Sequence, residues 1–284
     1  MNIAVTGSSG LVGRNLNDHF NRPGIKFIKI DRRVLYSDSD QLTDYIENAD
    51  VLIHLAGAPV FQLWTKKNKQ IIRDSRIVTS EKLWSALKKS KKKPGLVMFS
   101  SGVSIYSASG RHDEKSRNFS DGFLSDLIIE WESIAGRIRE MGIRTVVMRF
   151  GVVLGKGGGA LKVMQTPFKL GLGAIIGNGK QKVSFIHIND LCRAIDYLIN
   201  DSDYSGIVNF TSPESSTNIE LGRELARVLN RPLLFKLPEV IVRKILGEVS
   251  VLIVSGEDVE PGVLKEEGFR FQFPDISGCL KDLF

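Results

Sequence analysis

A doubly wound α/β fold around a parallel sheet is predicted, and three observations predict it. Short apolar runs, many of them β-branched, alternate with segments of helical periodicity from Asn2 to Arg149. Runs such as Val51-Leu52-Ile53-His54-Leu55-Ala56-Gly57 are almost continuously apolar, as strands covered by helices on both faces require. The first run passes through a glycine turn into a helix and then into a second run. That is the order of a dinucleotide-binding βαβ unit.

The unit spans Asn2 to Arg33. Ile3-Ala4-Val5-Thr6 is the strand, Arg14 to Asn21 the helix, and Phe27-Ile28-Lys29-Ile30 the second strand, ending on Asp31-Arg32-Arg33. Between strand and helix stand Gly7, Ser8, Ser9, Gly10, Leu11, Val12 and Gly13. Gly7 permits the sharp turn out of the strand, and Gly10 has no Cβ to hold a pyrophosphate off the backbone. Gly13 is expected to let the helix pack closely on the sheet. The helix N-terminus then offers unpaired N–H groups and a positive dipole end to phosphate. A tight turn with nothing bound is the alternative for the same glycines.

The remaining elements follow in order. Ser37 to Asp40 is polar and loop-like, and Leu42, Tyr45 and Ile46 suggest a short helix. After the Val51 strand a long helix runs from about Lys66 to Lys89. Leu96 to Ser100 is the next buried strand, followed by a Ser/Gly loop, a helix from Phe123 to Glu140 and a strand from Thr145 to Arg149. From Gly151 glycines become dense, marking loops around a helix from Ala160 to Leu170. Val183 to His187 reads as a strand, with Asn189-Asp190 capping a helix from Leu191 to Ile199. Ile207 to Phe210 is a late strand added to the main sheet. Asn218 to Leu229 is helical, and Pro232 to Phe284 forms a tail with Val240 to Leu246 helical.

The net charge of +7 raises nucleic-acid binding. Lys66-Lys67, Lys69, Lys88-Lys89 and Lys91-Lys92-Lys93 belong to one helical stretch, however, with no series of aromatic residues among them to stack bases, Trp84 standing alone. A solvated helix end explains them, and no nucleic-acid partner is expected. No apolar run is long enough to span a membrane and no leader segment is apparent. Cys192 and Cys279 form neither a disulfide framework nor a zinc motif. A cytoplasmic protein with a small-molecule substrate and no metal is expected. Its oligomeric state, monomer or dimer, is left open.

Together, Gly7-x-x-Gly10-x-x-Gly13, His54-Leu55-Ala56-Gly57, Arg149-Phe150-Gly151-Val152-Val153-Leu154-Gly155 and Ile186-His187-Ile188-Asn189-Asp190 resemble the extended short-chain dehydrogenase/reductases. More narrowly, the chain resembles their nucleotide-sugar-epimerase-like family, an NAD-dependent epimerase/dehydratase type with a characteristic C-terminal domain. The narrower resemblance rests on Trp64, Ser75-Arg76, Trp131-Glu132, Phe168 to Gly173, Ile176 to Gly179 and the tail, including Gly256 to Pro261 and Glu267-Gly268-Phe269. It implies a Rossmann-type NAD(P) domain over 1–155 and a smaller substrate lobe over 156–284, with one late strand returning and a cleft between. It also implies cofactor contacts from Leu55, Ala56, Gly57, Ser100 and Val152, and substrate contacts from Arg149, Asn178 and His187.

The wider superfamily carries a Tyr-x-x-x-Lys pair, a phenol poised by an ammonium, on the helix that here starts at Phe123. Counting back from Glu132, those positions hold Leu124 and Ile128, and the usual serine aligns with Gly102. The narrower family commonly lacks the pair too. Ser101, Ser104 and Tyr106 remain as catalytic candidates, with Tyr106 alternatively a loop anchor. His187 either braces a strand end or moves protons, and Arg149 either binds substrate or forms an ion pair beneath the cleft. His112 with Asp113 and Glu114 reads as a solvated patch. Glu130 and Glu132 face different directions on their helix. Asp31 suits the free ribose hydroxyls of NAD, while Arg32 and Arg33 suit a 2′-phosphate. The resemblance aims Arg76 at the same phosphate, so NADP is favoured with NAD as the alternative.

Overall fold

The computed structural model describes residues 1–37 and 40–284, so the middle of the polar stretch after Asp31 lies outside the described residues. The chain begins β1 (Asn2–Thr6), α1 (Leu11–His19), β2 (Lys26–Ile30), α2 (Arg32–Tyr36), α3 (Gln41–Glu47) and β3 (Val51–His54). It continues through α4 (Lys66–Lys89), β4 (Leu96–Gly102), β5 (Arg111–His112), α5 (Phe123–Arg139), β6 (Arg144–Phe150) and β7 (Val152–Leu154). Next come α6 (Gly159–Lys169), β8 (Ala174–Ile176), β9 (Lys182–Val183), β10 (Phe185–His187), α7 (Ile188–Asn200) and β11 (Gly206–Phe210). The tail holds β12 (Ser216–Thr217), α8 (Asn218–Val228), β13 (Phe235–Leu237) and α9 (Glu239–Leu246). It closes with α10 (Val251–Val254), β14 (Asp258–Val259), α11 (Gly262–Glu266) and α12 (Ile276–Leu283).

Six strands form one parallel sheet in the order β11-β6-β4-β3-β1-β2. This is the predicted Rossmann-type doubly wound sheet, with β1 at the point where the strand order reverses. Alternation along the strands divides the core in two. Ile3, Val5, Ile53 and Met98 pack with Leu16 of α1 and Leu191 of α7 on one face. Ala4, Leu52, Val97 and Phe99 pack with Ile72 and Leu83 of α4 and Ile134 of α5 on the other. Because all six strands run the same way, the loops after β1, β3, β4, β6 and β11 emerge along one edge of the sheet. Among the described residues, no helix is long and apolar enough to cross a membrane.

Four local expectations are corrected. Val183 to His187 is not one strand: β9 pairs with β12 and β10 with β7. The cap of α7 is His187, whose ring accepts from the Asn189 N–H. Asp190 instead accepts the N–H groups of Gln272 and Phe273, tying the tail to α7. A Cβ on Gly13 would lie 2.5 Å from Ser8 Cα and 2.6 Å from the Gly7 oxygen, so this glycine lets the helix pack on its own loop rather than on the sheet. His112 is not solvated. It is 2% exposed and stacks on Tyr106, and Glu114 is buried beside it.

Candidate functional site

A cavity of about 330 Å³ opens at the edge where the strands end. Gly7, Gly10, Leu11, Val12 and Gly13 form one wall, and Leu55, Ala56, Gly57 and Arg76 form another. Ser100, Ser101 and Trp131 lie beyond them, and Phe150, Val153, Gly159 and Ala160 close the remaining side. A larger, more open groove of about 540 Å³ lies at the far end of α1, lined by Arg22, Arg193, Asp196 and Phe269. Its Arg22 and Arg193 are already paired with Asp196 and Asp190. Size does not decide between the two; the smaller cavity is where the strand ends and both glycine-rich turns converge.

The glycines shape that cavity. Gly7 takes φ +69°, and a Cβ there would lie 2.7 Å from the Leu55 backbone, which brings the loops after β1 and β3 together. No side chain caps α1, whose N-cap is Gly10. The same holds for α6, which starts over the cavity with N-cap Gly158. Two helices thus present uncapped N–H groups to one space, an arrangement suited to phosphate. The residues present fit a dinucleotide.

Arg76 lies deeper than expected. Its guanidinium donates to the carbonyls of Ala58 and Ile72, sits 5.2 Å from the Trp131 ring, and would touch a Cβ on Gly57 at 3.1 Å. Burial lowers its pKa to about 10, which leaves it charged at neutral pH. It lines the cavity alongside Gly57, Ser100 and Trp131.

A buried chain of neutral groups runs below. Thr6 Oγ1 accepts from the N–H groups of Leu55 and Ala56, so its proton goes to His54 Nδ1 at 2.8 Å. The imidazole then carries its proton on Nε2, 3.0 Å from Ser80 Oγ, which also accepts from Trp131 Nε1 at 2.9 Å. Burial, then the nearby Arg76 charge, push the His54 pKa down to about 3, so the ring is neutral.

The catalytic candidates belong to a second buried chain. Ser101 Oγ donates to Glu132, and Arg149 grips the same carboxylate through Nε at 2.8 Å and Nη2 at 2.6 Å. Arg149 Nη1 donates to the Tyr106 hydroxyl at 2.7 Å, which donates to Asn209 Oδ1 at 3.0 Å. Burial would lower the Arg149 pKa, but its bonds to Glu132 raise it overall. Burial raises that of Tyr106. Tyr106 is fully buried with its hydroxyl engaged on both sides, so it anchors its loop and does not face the cavity. Arg149 takes the ion-pair alternative. Ser104 is half-buried, and its Oγ bonds to no described residue.

Other predicted residues lie apart from the cavity. Asn178 is exposed in a turn, where its Oδ1 accepts from the Lys180 N–H. His187 is buried under the Phe273 ring, 3.2 Å from Asp282 Oδ2 but angled so that no hydrogen bond forms. Burial lowers its pKa. Asp31 caps α2 by accepting from the Arg33 N–H at 2.7 Å, Arg32 lies over the Tyr36 ring, and Arg33 is exposed. Ser8, Ser9 and Val152 do not line the cavity, although Val152 sits between two residues of its wall. Trp131, Phe150, Val153, Gly159 and Ala160 were missed as cavity residues, although Trp131 carried part of the resemblance. Phe150 and Val153 lie within the Arg149-to-Gly155 motif, and the density of glycines from Gly155 to Gly159 was the signal for Gly159 and Ala160.

A family model for the NAD-dependent epimerase/dehydratase family matches residues 3–210, and one for a domain of unknown function (DUF1731) matches 237–283. The chain is 36% identical over 298 residues to the epimerase family protein YfhF of Bacillus subtilis, covering 100% of this chain and 98% of that protein. It is 32% identical to the epimerase family protein SSP1921 of Staphylococcus saprophyticus, covering 98% of each. A solved structure of human epimerase family protein SDR39U1 (isoform 2) with NADPH superposes with a TM-score of 0.89 at 29% identity, covering 100% of this chain and 99% of that one. UDP-glucuronic acid 4-epimerase from Bacillus cereus, at 17% identity, TM-score 0.80 and coverage of 100% and 98%, shares the fold.

Proposed function

The chain belongs to the NAD-dependent epimerase/dehydratase family, and we propose that it is an NADP(H)-binding oxidoreductase or epimerase-like enzyme acting on a small polar substrate. The observation that carries this reading is the single cavity joining two uncapped helix N-termini to Arg76, Ser100 and Ser101. The N–H groups at the start of α1 and α6 would hold the pyrophosphate. Arg32 and Arg33 would hold the 2′-phosphate, since the Asp31 carboxylate is turned back onto the Arg33 N–H. Likeness to a human protein solved with NADPH supports the same preference. The chemistry supplied by the cofactor is hydride transfer.

Of the catalytic candidates, Ser101 is the one that lines the cavity, and Glu132 holds its hydroxyl. Tyr106 acts from behind, as the brace of Arg149. Nucleotide sugars head the substrate panel, because UDP-glucuronic acid 4-epimerase shares the fold.

Calorimetric titration with NADPH and NADH tests the cofactor reading. NADPH is expected to bind at least tenfold more tightly, and Arg32→Ala to weaken NADPH by roughly ten- to a hundredfold, the range for a charged hydrogen bond. Equal affinities, unchanged by Arg32→Ala, would remove the NADP preference. The mutual engagement of Tyr106, Arg149 and Glu132 favours a second reading, a dinucleotide-binding sensor without turnover. Tight NADPH binding without turnover across the panel, with affinity for a partner protein that depends on the cofactor, would select it.

A further inference from the structure

Around the end of α6, β13 and α9 the chain holds large apolar side chains out in water. Leu170 and Leu172 follow α6 on a loop that is tied down: the Gly171 N–H donates to the Phe168 carbonyl at 2.9 Å and the Leu172 N–H to that of Pro167 at 2.8 Å. A Cβ on Gly173 would lie 2.6 Å from the Phe168 ring, so the loop packs tightly against the helix it leaves. Leu170 is nonetheless 70% exposed, and Leu172 is exposed too. β13 pairs with β8 so that Phe235 stands opposite Ala174, two residues beyond Leu172. Leu234, 75% exposed, and the exposed Phe235 therefore enter the same surface beside that loop. α9 then follows β13 after Pro238 alone. A surface helix ordinarily turns its apolar side inward, and this one does the reverse. Val242 is buried and Leu246, one turn on, is half-buried, whereas Val240, Ile241, Lys244 and Ile245 share the other side at helical spacing and are all exposed. None of these side chains lines either cavity. Apolar residues gathered in this way mark a contact surface.

Charge selects what covers it. From Ala160 to Lys180 the chain has three lysines and no acidic residue, and from Arg231 to Ser250 four basic residues and two acidic ones. Both acids are taken, Glu239 by Arg243 and Glu248 by Lys69 of α4. Lys169, Arg231, Lys236 and Lys244 are exposed and form no ion pair with any described residue. Three of them adjoin an exposed apolar residue directly: Lys169 beside Leu170, Lys236 beside Phe235 and Lys244 beside Ile245. A second copy docked about a two-fold axis would set these cations against themselves, because such an interface is the same patch on both sides. An anionic lipid surface takes both features at once. Apolar side chains enter the boundary of the acyl chains, while Lys and Arg stems lie along it and carry their charges up to the headgroup phosphates.

We propose that this face docks the protein on an anionic phospholipid bilayer, with the outer side of α9 and the leucines beside β13 inserted and the four unpaired cations on the headgroups. The contact is with one leaflet and is not a span, since α9 has eight residues. The two apolar groups are separated only by the three residues of β13, roughly 10 Å of extended chain, within the footprint of one contact. The proposal does not rest on the cofactor reading, because the cavity is built from other residues.

Vesicle sedimentation with the full chain tests it, comparing phosphatidylcholine alone with phosphatidylcholine containing roughly one-third phosphatidylglycerol. The protein is expected to sediment with the anionic vesicles and to stay in solution with the neutral ones, and its binding to weaken at least tenfold in about 0.5 M salt. Lys236→Glu with Lys244→Glu should weaken binding at least tenfold, and so should Val240→Ser with Ile245→Ser. All four side chains are exposed, so the urea midpoint should not move in either pair. Lys91→Glu with Lys92→Glu, in the basic run after α4, is the control for charge elsewhere and should leave binding within threefold. No sedimentation with anionic vesicles overturns the proposal, as does binding that survives both α9 pairs or is lost only in the control. A dimer in analytical ultracentrifugation that Ile245→Glu dissociates also overturns it, and would give the face to a second copy.

Discussion

Two buried polar chains run beneath the cleft, and they differ in charge. Thr6, His54, Ser80 and Trp131 are linked by neutral hydrogen bonds and join β1, β3, α4 and α5 within the main α/β body. Ser101, Glu132, Arg149, Tyr106 and Asn209 contain a buried ion pair, and their chain reaches the tail. Asn209 donates from its side chain to the Glu260 carbonyl, and the Glu114 carboxyl accepts N–H groups from both Asn209 and Val263. The neutral chain orients walls that the sheet already holds together. The charged chain joins the sheet to the tail segment around Glu260 and Val263, whose strand β14 pairs with β5 and not with the sheet. Directional bonds suffice for the first task, whereas the second uses charge, at the cost of a strict need for both partners.

Acid should break the neutral chain with the largest effect. The folded His54 pKa lies at about 3, well below its ordinary value of 6.5, so the unfolded chain binds an extra proton between the two. Stability from this group is complete above about pH 6.5 and is lost as pH falls toward 3. The slope is about 1.4 kcal/mol per pH unit and the total on the order of 5 kcal/mol. Urea denaturation from pH 7 to 4.5 should show that slope as the difference between wild type and His54→Gln. Parallel pH profiles would mean that the ring is not neutral and buried in the way the bonds require.

Arg149→Met should come next, costing about 3–5 kcal/mol because it strands the Glu132 carboxylate and one side of the Tyr106 hydroxyl. Adding Glu132→Met should recover at least half of that loss, since neither charge is then left alone. If the double variant is as unstable as the single, the charge is not what makes this chain sensitive.

The contrast between the chains also explains what could be read in advance. The glycine loop was legible because its determinants are local: Gly7, Gly10 and Gly13 act on each other and on one adjacent loop. The sheet was legible because buried parallel strands must be apolar on both faces. The charged chain was not, because its members meet only in three dimensions: Arg149 finds Glu132 17 positions away and Tyr106 43 positions away. His112 and Glu114 look like surface in sequence. Their burial comes from a ring stacked on Tyr106 and from a backbone N–H 95 positions away.

The smallest expected effect sharpens the comparison most. Trp131→Phe removes the Nε1 bond to Ser80 but keeps an aromatic ring against Phe99 and beneath Arg76. Ser80 retains its bond to His54, so no buried group is left without a partner. The cost should be about 1–2 kcal/mol, one neutral hydrogen bond plus a small loss of packing. The variant should therefore unfold in urea at a midpoint between those of wild type and Arg149→Met, with an unchanged slope. If Trp131→Phe costs as much as Arg149→Met, the neutral chain holds the fold together as firmly as the charged one, and the division between orienting and joining fails. A cost near the low end, with weakened NADPH binding, would place Trp131 as an orienting wall of the cavity.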